Sequence, residues 1–283
     1  RHPDDAHALR EAVSGRQHAV VIGGGYIGLE VAASLTKLGL RVDVIEMADR
    51  LLARVASPQI SAFFAELHQS HDVGLHIGAN CQEILQKDGA FIGVQLDDGS
   101  QIVAELLLVG IGVLPDLDLA ESAGIMTGNG ILVDAMMQSS VQDIFAIGDV
   151  ALIDGSALRI ESVDNAQMTA VRAAAAICGL AQPAIAAPWF WSEQFDVRLQ
   201  SAGIVPLASP DLRHQMRPGK REGGFSVWSY GDKGQLAAVE AVRDPAGYML
   251  GKKCLDLALS PDPDDIGNCD FDLKAFIAAG NKK

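Results

Sequence analysis

The sequence predicts an α/β fold: buried strands run into glycine-rich turns and helices, and a smaller, aromatic-rich α/β unit follows. Three observations carry that expectation. His18–Ile22, HAVVI, is a short β-branched run of the kind buried on both faces of a parallel sheet. It passes directly into GGGYIGLEVAASL, a turn followed by a helical pattern. Near residue 187 the texture changes to PWFWSEQF and a series of β-rich segments. At 283 residues the chain exceeds the usual size of one compact domain, so roughly two or three are expected.

The first element after the strand explains itself residue by residue. Gly23, Gly25 and Gly28 have GxGxxG spacing, with a strand before them and a helix, residues 26–38, after them. Gly23 suits the tight turn, Gly25 lets backbone approach a pyrophosphate, and Gly28 lets the helix pack on the sheet. Leu29, Ala32, Ala33 and Leu35 supply the packing face, and Gly39 is the expected stop. A second strand, residues 41–45, ends at Glu46, about 20 residues on, where an acid accepts hydrogen bonds from an adenosine ribose. This is a Rossmann-like dinucleotide-binding unit. The acid repels a 2′-phosphate and favours NADH over NADPH, a preference tempered by Arg50 and Arg54.

Ser57-Pro58 reads as an N-cap and first helical position, opening a helix through Phe63, Phe64 and Leu67. Residues 91–96 and 101–103 flank the hairpin turn Asp97-Asp98-Gly99-Ser100. Leu106–Val109 is expected as another buried strand, ending at Gly110-Ile111-Gly112. Ligands sit at the carboxyl ends of parallel strands, so this turn is either a ligand contact or a plain loop. Residues 130–134 and 143–147 are expected as strands, the second delivering Gly148 and Asp149 to its terminus. There Asp149 is either an acceptor for polyol hydroxyls or part of an ordinary turn. Residues 165–177 form an alanine-rich helix ended by Gly179, with Arg172 expected to be solvated or to meet an acidic partner.

In the last third, Trp189 and Trp191 open the new unit and are candidates for its core. Residues 225–230 and 235–242 form a hairpin around GDKG, and helices are expected over 249–259 and 273–279. Arg213, Arg217, Lys220 and Arg221 make a local basic run, either a solvated loop or a docking surface.

Composition narrows the partners. Hydrophobic residues are 49% and charged residues 20%, which suits a globular protein with sizeable cores. A formal net charge of −14 repels nucleic acid and anionic membrane surfaces. No apolar stretch approaches the ~18 to 20 residues of a bilayer span, and no secretory signal opens the chain. A cytoplasmic protein with no membrane partner is expected. Cys81, Cys178, Cys254 and Cys269 are scattered, without a CxxC pair, and read as reduced thiols. No His/Cys cluster has ligand spacing, so no metal is expected.

Taken together, GGGYIGLE, VGIGVLP, FAIGDVA, RIESV and PWFWSEQF resemble the flavin-dependent ferredoxin reductases of oxygenase systems, of the putidaredoxin reductase and biphenyl dioxygenase reductase type. The resemblance spans essentially the whole chain. It implies FAD and NAD as cofactors, with hydride passing from NADH to FAD and single electrons to a small iron–sulfur ferredoxin, or a rubredoxin in its place. It places Gly23, Gly25, Tyr26, Ile27 and Gly28 at the NADH pyrophosphate, and Glu46 with Arg54 at the ribose. Glu30, Gly110, Ile111 and Gly112 fall near the nicotinamide, and Gly148 and Asp149 at the FAD ribityl chain. Glu161, Ser162 and Val163 line the isoalloxazine, Val163 through its amide, while Trp191 stands at the flavin where electrons leave. No catalytic acid or base is implied, because the hydride chemistry belongs to the cofactors.

The implied plan is a Rossmann-like two-dinucleotide-binding fold. Residues 1–12 are a linker, 13–128 the NADH domain, 129–185 the C-terminal part of the FAD domain, and 186–283 a small α/β domain. The family's own N-terminal GxGxxG segment is not in this chain, which is expected to begin at the linker. Asp164 departs from the family pattern and adds an acid beside the expected flavin. The same plan also serves disulfide reductases, NADH oxidases and NADH-sensing binding proteins.

Overall fold

The computed structural model describes residues 2–156, 158–206 and 212–281. After a polar helix, α1 (Pro3–Val13), the chain forms β1 (His18–Ile22), α2 (Tyr26–Lys37), β2 (Arg41–Glu46), α3 (Pro58–Gln69) and β3 (Gly74–Ile77). An antiparallel layer follows, β4 (Cys81–Lys87), β5 (Ala90–Leu96) and β6 (Gln101–Val103), and the chain returns as β7 (Leu106–Val109). The parallel sheet has the order β3-β2-β1-β7.

Side-chain alternation sorts the two faces of that sheet. Ala19, Val21, Val42 and Val44 pack with Leu29, Ala32, Leu35, Ile60 and Phe64 of α2 and α3. Val20 and Ile45 face the other way, onto Val94, Leu96 and Ile102 of the antiparallel layer. β7 departs from expectation: only Leu106 is fully buried and Val109 is 54% exposed, because the strand lies at the sheet edge among the described residues.

Asp43 is the polar exception on the second face. Its carboxylate lies between His18 Nε2 at 2.6 Å and His76 Nε2 at 2.7 Å, on the strands to either side. Burial opposes its charge, but the hydrogen bonds and charge of His76 and His18 win, and its pKa is lowered. A Cβ on Gly74 would stand 2.1 Å from Asp43 Oδ1, so only glycine leaves room for this arrangement.

The second unit contains α4 (Asp118–Ser122), β8 (Thr127–Gly128), β9 (Gly130–Val133), β10 (Ala151–Ile153) and α5 (Val163–Ile177). The strand expected over residues 143–147 is not formed. Ser139 N–H bonds to Ile144 O and Ala146 N–H to Met137 O, so the segment closes on its own preceding turn. Asp143 is left-handed (φ 64), which no continuing strand tolerates. Gly148–Val150 is accordingly a 3₁₀ turn rather than a strand end. Arg172 is not solvated. It is buried against this irregular segment, with both Nε (2.9 Å) and Nη2 bonded to Ala135 O, a carbonyl that no strand satisfies.

The third unit is an antiparallel sheet of order β11-β12-β15-β14-β13. Its strands are β11 (Trp189–Gln194), β12 (Val197–Gly203), β13 (Arg213–Pro218), β14 (Phe225–Tyr230) and β15 (Leu236–Val242). Three helices close it: α6 (Pro245–Asp256), α7 (Pro263–Gly267) and α8 (Leu273–Gly280). The expected helix at 249 begins at Pro245, where the Asp244 carboxylate caps Gly247 N–H. Trp228 is the fully buried tryptophan, packed with Val239, Ile266 and Ile277, and Trp189 packs half-buried against Ala202, Ala241 and Tyr248. The basic run is not a loop: Arg213 to Pro218 form β13. Arg217 donates to the carbonyls of Ile266, Asn268 and Phe271, and Arg213 pairs with Asp264, so these two arginines clamp α7 and its exit. Lys220 and Arg221 stay exposed on the turn beyond.

The first and third units share one core, in which Phe195, Val197, Leu199 and Val227 join α2 and α3. At this seam Ser57 occupies the N-cap of α3, but its hydroxyl makes no capping bond. The Glu240 carboxylate of β15 instead accepts the Ser57 N–H at 3.1 Å, placing an acid at the positive end of the helix. Burial pushes the Glu240 pKa up to about 7, against the Ser57 hydrogen bonds and Arg50. With the folded value raised, stability from this group is full below about 4.5 and is lost as pH rises through about 7. Between those limits the loss is on the order of 3 kcal/mol. Glu240→Gln should remove most of that slope in urea denaturation run from pH 4.5 to 8; a slope equal to wild type would assign it elsewhere.

Candidate dinucleotide and flavin site

The glycine loop is defined by crowding on two sides and space on the third. A Cβ on Gly28 would lie 2.0 Å from Gly23 O, and one on Gly23 (φ +109) would lie 2.4 Å from Gly110 O. A Cβ on Gly25 would meet nothing within 4 Å. Gly25 is also the N-cap of α2 and offers no side-chain cap, so the first-turn amides of Tyr26 and Ile27 face open space at the positive helix end.

Glu46 is pinned at the end of β2: Oε2 accepts Gly24 N–H and Oε1 accepts Ala48 N–H, each at 2.7 Å. Both oxygens keep acceptor capacity for ribose hydroxyls. Arg50 is not available to a 2′-phosphate, because its guanidinium turns inward to Ala56 O, Ala53 O and the Ser61 hydroxyl. Arg54 reaches across to Ile111 O at 3.5 Å. Gly110 N–H bonds to Ile22 O at 2.7 Å, so the Gly110-Ile111-Gly112 turn sits beside the glycine loop, with the Ile111 side chain exposed.

The second cluster surrounds the start of α5. Gly148 (φ +69) donates its N–H to Thr169 Oγ1 at 2.8 Å, seating the 3₁₀ turn with Asp149 on the helix. Arg159 bonds to Asp149 O and pairs with Glu161 at 2.7 Å. The Ser162 hydroxyl caps the helix by accepting Asn165 N–H at 3.1 Å. Val163 is the first helical residue, and its exposed side chain lies beside an amide that the helix itself does not use.

Strand β11 joins the two clusters. Phe190, Ser192 and Gln194 face the first unit: the Phe190 ring is 4.8 Å from that of Tyr26, and Ser192 Oγ donates to Glu30 Oε1 at 2.6 Å. Trp189 and Trp191 alternate to the opposite face, their rings 5.7 Å apart, with Arg198 over Trp191. Trp191 is 38% exposed, so it is not a core side chain. Asp164, the unexpected acid, accepts Trp189 N–H at 3.3 Å and ties α5 to β11. Sequence reasoning missed Ser192, Gln194 and Arg198; period-2 alternation in PWFWSEQF would have grouped Phe190 with Ser192 and Gln194.

A glycine loop at a helix start, an acid closing the second strand and a neighbouring helix N-terminus define a dinucleotide-binding α/β protein. Residues 1–170 match the family described as pyridine nucleotide-disulphide oxidoreductase, and residues 189–277 match the reductase C-terminal family. The chain belongs to the pyridine nucleotide-disulphide oxidoreductase family.

It is 39% identical to a ferredoxin–NAD(P)(+) reductase of a Sphingomonas species, over 96% of this chain and 66% of that protein. To the putidaredoxin reductase of Pseudomonas putida it is 36% identical, over 98% of this chain and 66% of that one. The crystal structure of the ferredoxin reductase for the CYP199A2 system of Rhodopseudomonas palustris superposes with a TM-score of 0.92 at 39% identity, covering 98% of this chain and 69% of that chain. A covalent putidaredoxin reductase–putidaredoxin complex also superposes with a TM-score of 0.92, at 34% identity, covering 100% and 68%. The chain thus spans about two thirds of the length of the curated relatives it matches.

The glycines separate packing from binding. Gly28→Ala should lower the melting temperature markedly, since its Cβ meets backbone at 2.0 Å. Gly25→Ala should melt like wild type yet bind NAD⁺ about tenfold or more weakly in calorimetry. Equal affinity for Gly25→Ala would move the pyrophosphate away from this loop.

Proposed function

We propose that this chain forms the NADH-binding part, the flavin-facing α5 start and the C-terminal unit of a flavin-dependent ferredoxin reductase of an oxygenase system. The observation that carries the reading is β11, which brings the glycine-loop helix α2 and the α5 N-terminus to one strand. The names of the relatives support the same reading.

In this reading the space over Gly25 takes the NADH pyrophosphate, and Glu46 accepts the ribose hydroxyls, with Arg54 beside it. Glu30 meets the nicotinamide carboxamide, with Gly110, Ile111 and Gly112 forming the floor at the end of β7. Bound FAD supplies the conversion of a hydride into single electrons. Gly148 and Asp149 take its ribityl chain. Glu161 and Ser162 border the ring, and the Val163 amide, at the positive end of α5, favours negative charge on the ring edge. The open indole of Trp191 covers the side where electrons leave for a small iron–sulfur ferredoxin or a rubredoxin. The domain limits are residues 13–128 for NADH, 129–185 for FAD and 186–283 for the C-terminal unit, after a linker over 1–12. No helix among the described residues is long and apolar enough to cross a membrane, and the proposed location is the cytoplasm.

An anaerobic titration of the full-length, FAD-loaded protein with NADH tests the function. Bleaching of the flavin with uptake of about two electrons per chain is expected for a flavin-only centre. Uptake of about four would indicate an additional redox disulfide and a disulfide reductase. Tight NADH binding without bleaching would indicate a sensor.

Coenzyme choice gives a second test. Glu46→Arg should move the NADH-to-NADPH affinity ratio by about tenfold or more toward NADPH, since the acid that repels a 2′-phosphate is replaced by a cation. An unchanged ratio would take Glu46 out of the ribose site.

A further inference from the structure

The seam between α2, α3 and β11 contains a buried polar chain that the cofactor contacts do not account for. His68 Nε2 lies 2.9 Å from Gln194 Oε1, Gln194 Nε2 is 3.2 Å from Ser192 Oγ, and Ser192 Oγ is 2.6 Å from Glu30 Oε1. His68, Ser192 and Gln194 are all buried to within 1% of completely. From these contacts we infer that Ser192, backed by Gln194 and His68, is a positioning residue that aims the Glu30 carboxylate at the nicotinamide. The inference rests on the reading of Glu30 as a nicotinamide contact.

The donor inventory permits only one direction along the chain. A carboxylate oxygen only accepts, so the Ser192 hydroxyl hydrogen points to Glu30. Gln194 then donates its amide hydrogen to the Ser192 oxygen and turns its carbonyl to His68, whose Nε2 must carry a proton. The remaining nitrogen, His68 Nδ1, is buried with no hydrogen-bond partner. Burial also depresses the His68 pKa, consistent with one ring proton, on Nε2. Each hydrogen bond of the chain thus runs in the same sense, and the chain ends on the acid that stands behind the glycine loop. Because Gln194 supplies a hydrogen to its oxygen, Ser192 has no second use for its own.

An ordinary structural seam does not require this arrangement. Tyr26 on Phe190 and Phe63 on Phe225 already pack the two units together. Replacing a buried polar chain by apolar side chains would remove its desolvation cost. At the end of the strand, Phe195 is left-handed (φ 55) in the turn to β12 and stacks on His71 at 3.8 Å, which anchors the strand end beside His68. A residue of the C-terminal sheet sets the rotamer of a side chain on the NADH-binding helix, about 160 positions earlier in the chain.

The test compares NAD⁺ with ADP-ribose, which shares every proposed contact except the nicotinamide. Both are titrated calorimetrically into the full-length, FAD-loaded protein, with melting temperatures alongside. Ser192→Ala should weaken NAD⁺ about tenfold and leave ADP-ribose unchanged. Ser192→Thr, which keeps the hydroxyl, should restore NAD⁺ binding. Ser192→Cys, close in size but a poor donor, should behave like Ala with the fold retained. In a Glu30→Gln background, Ser192→Ala should add no further loss. Equal losses for NAD⁺ and ADP-ribose, or full additivity in the double variant, would make Ser192 a purely structural residue and overturn the inference. Wild type that binds ADP-ribose but gains nothing from the nicotinamide would remove Glu30 from that role, and the inference with it. Wild type that binds neither would instead refute the dinucleotide site itself.

Discussion

The alternation of six side chains in β11 determines how the rest of the molecule meets. Phe190, Ser192 and Gln194 lock onto Tyr26, Glu30 and His68, while Trp189 and Trp191 turn to the other face. A slip of one residue would exchange the two sets, setting an indole against the Glu30 carboxylate and a hydroxyl among the tryptophans. Pairing with β12, where Trp191 stands opposite Gln200, and the left-handed turn at Phe195 hold the register. The strand therefore does more than open a domain, since it orients two helix N-termini relative to each other.

Beneath that strand, the parallel sheet is organised by places where no side chain fits. Gly23, Gly28 and Gly110 approach one another so closely that β1, α2 and β7 share a single backbone contact region. Gly74 does the same for Asp43 one strand away. Each of these close approaches lets a backbone carbonyl or a carboxylate oxygen sit where a methyl group would otherwise be, and hydrogen bonds from the same residues fix the packing. Gly23 N–H reaches Ile45 O, Gly110 N–H reaches Ile22 O, and Asp43 reaches two histidines. Gly25 alone among the loop glycines faces outward, so its lack of a side chain leaves open space and is not demanded by packing.

What was legible in the sequence was whatever local period and local chemistry decide. HAVVI, the GxGxxG turn, Glu46, the Asp97-to-Ser100 hairpin and the alanine-rich α5 all lie where expected, and α5 merely starts two residues early. The misses share a cause. Arg50 reads as a cation near the ribose and Arg172 and Arg217 as charges free to be solvated, yet each turns its fork onto backbone carbonyls. Nothing near an arginine in sequence reveals which distant carbonyls lack partners. Residues 143–147 have strand composition but lack a sheet neighbour, so their hydrogen bonds close locally. Ser57 has the residue type of an N-cap, but Glu240, 183 positions away, supplies the acid at that helix end. The Ser192 contact was illegible for the same reason, since alternation groups it with Phe190 and Gln194 without naming Glu30.

The seam's polar content also explains why the units meet in one way only. An apolar interface of Phe63, Val197, Leu199 and Val227 does not by itself choose one register, since the gain from burial is non-directional. Hydrogen bonds with defined donors are directional, and leaving one unmade costs more than making it gains. Glu240 must find the Ser57 amide, Ser192 must find Glu30, and Gln194 must find His68. The Tyr26 hydroxyl is buried without a partner, its pKa driven well up by burial and then by the charges of Glu240 and Glu30. The phenol therefore stays neutral. One acid caps α3 and changes its proton near pH 7, while the other serves the glycine-loop helix. Two carboxylates at a single interface can differ in role because each has a different donor, the Ser57 amide for Glu240 and the Ser192 hydroxyl for Glu30, and these same bonds hold the C-terminal sheet in register with the glycine-loop helix.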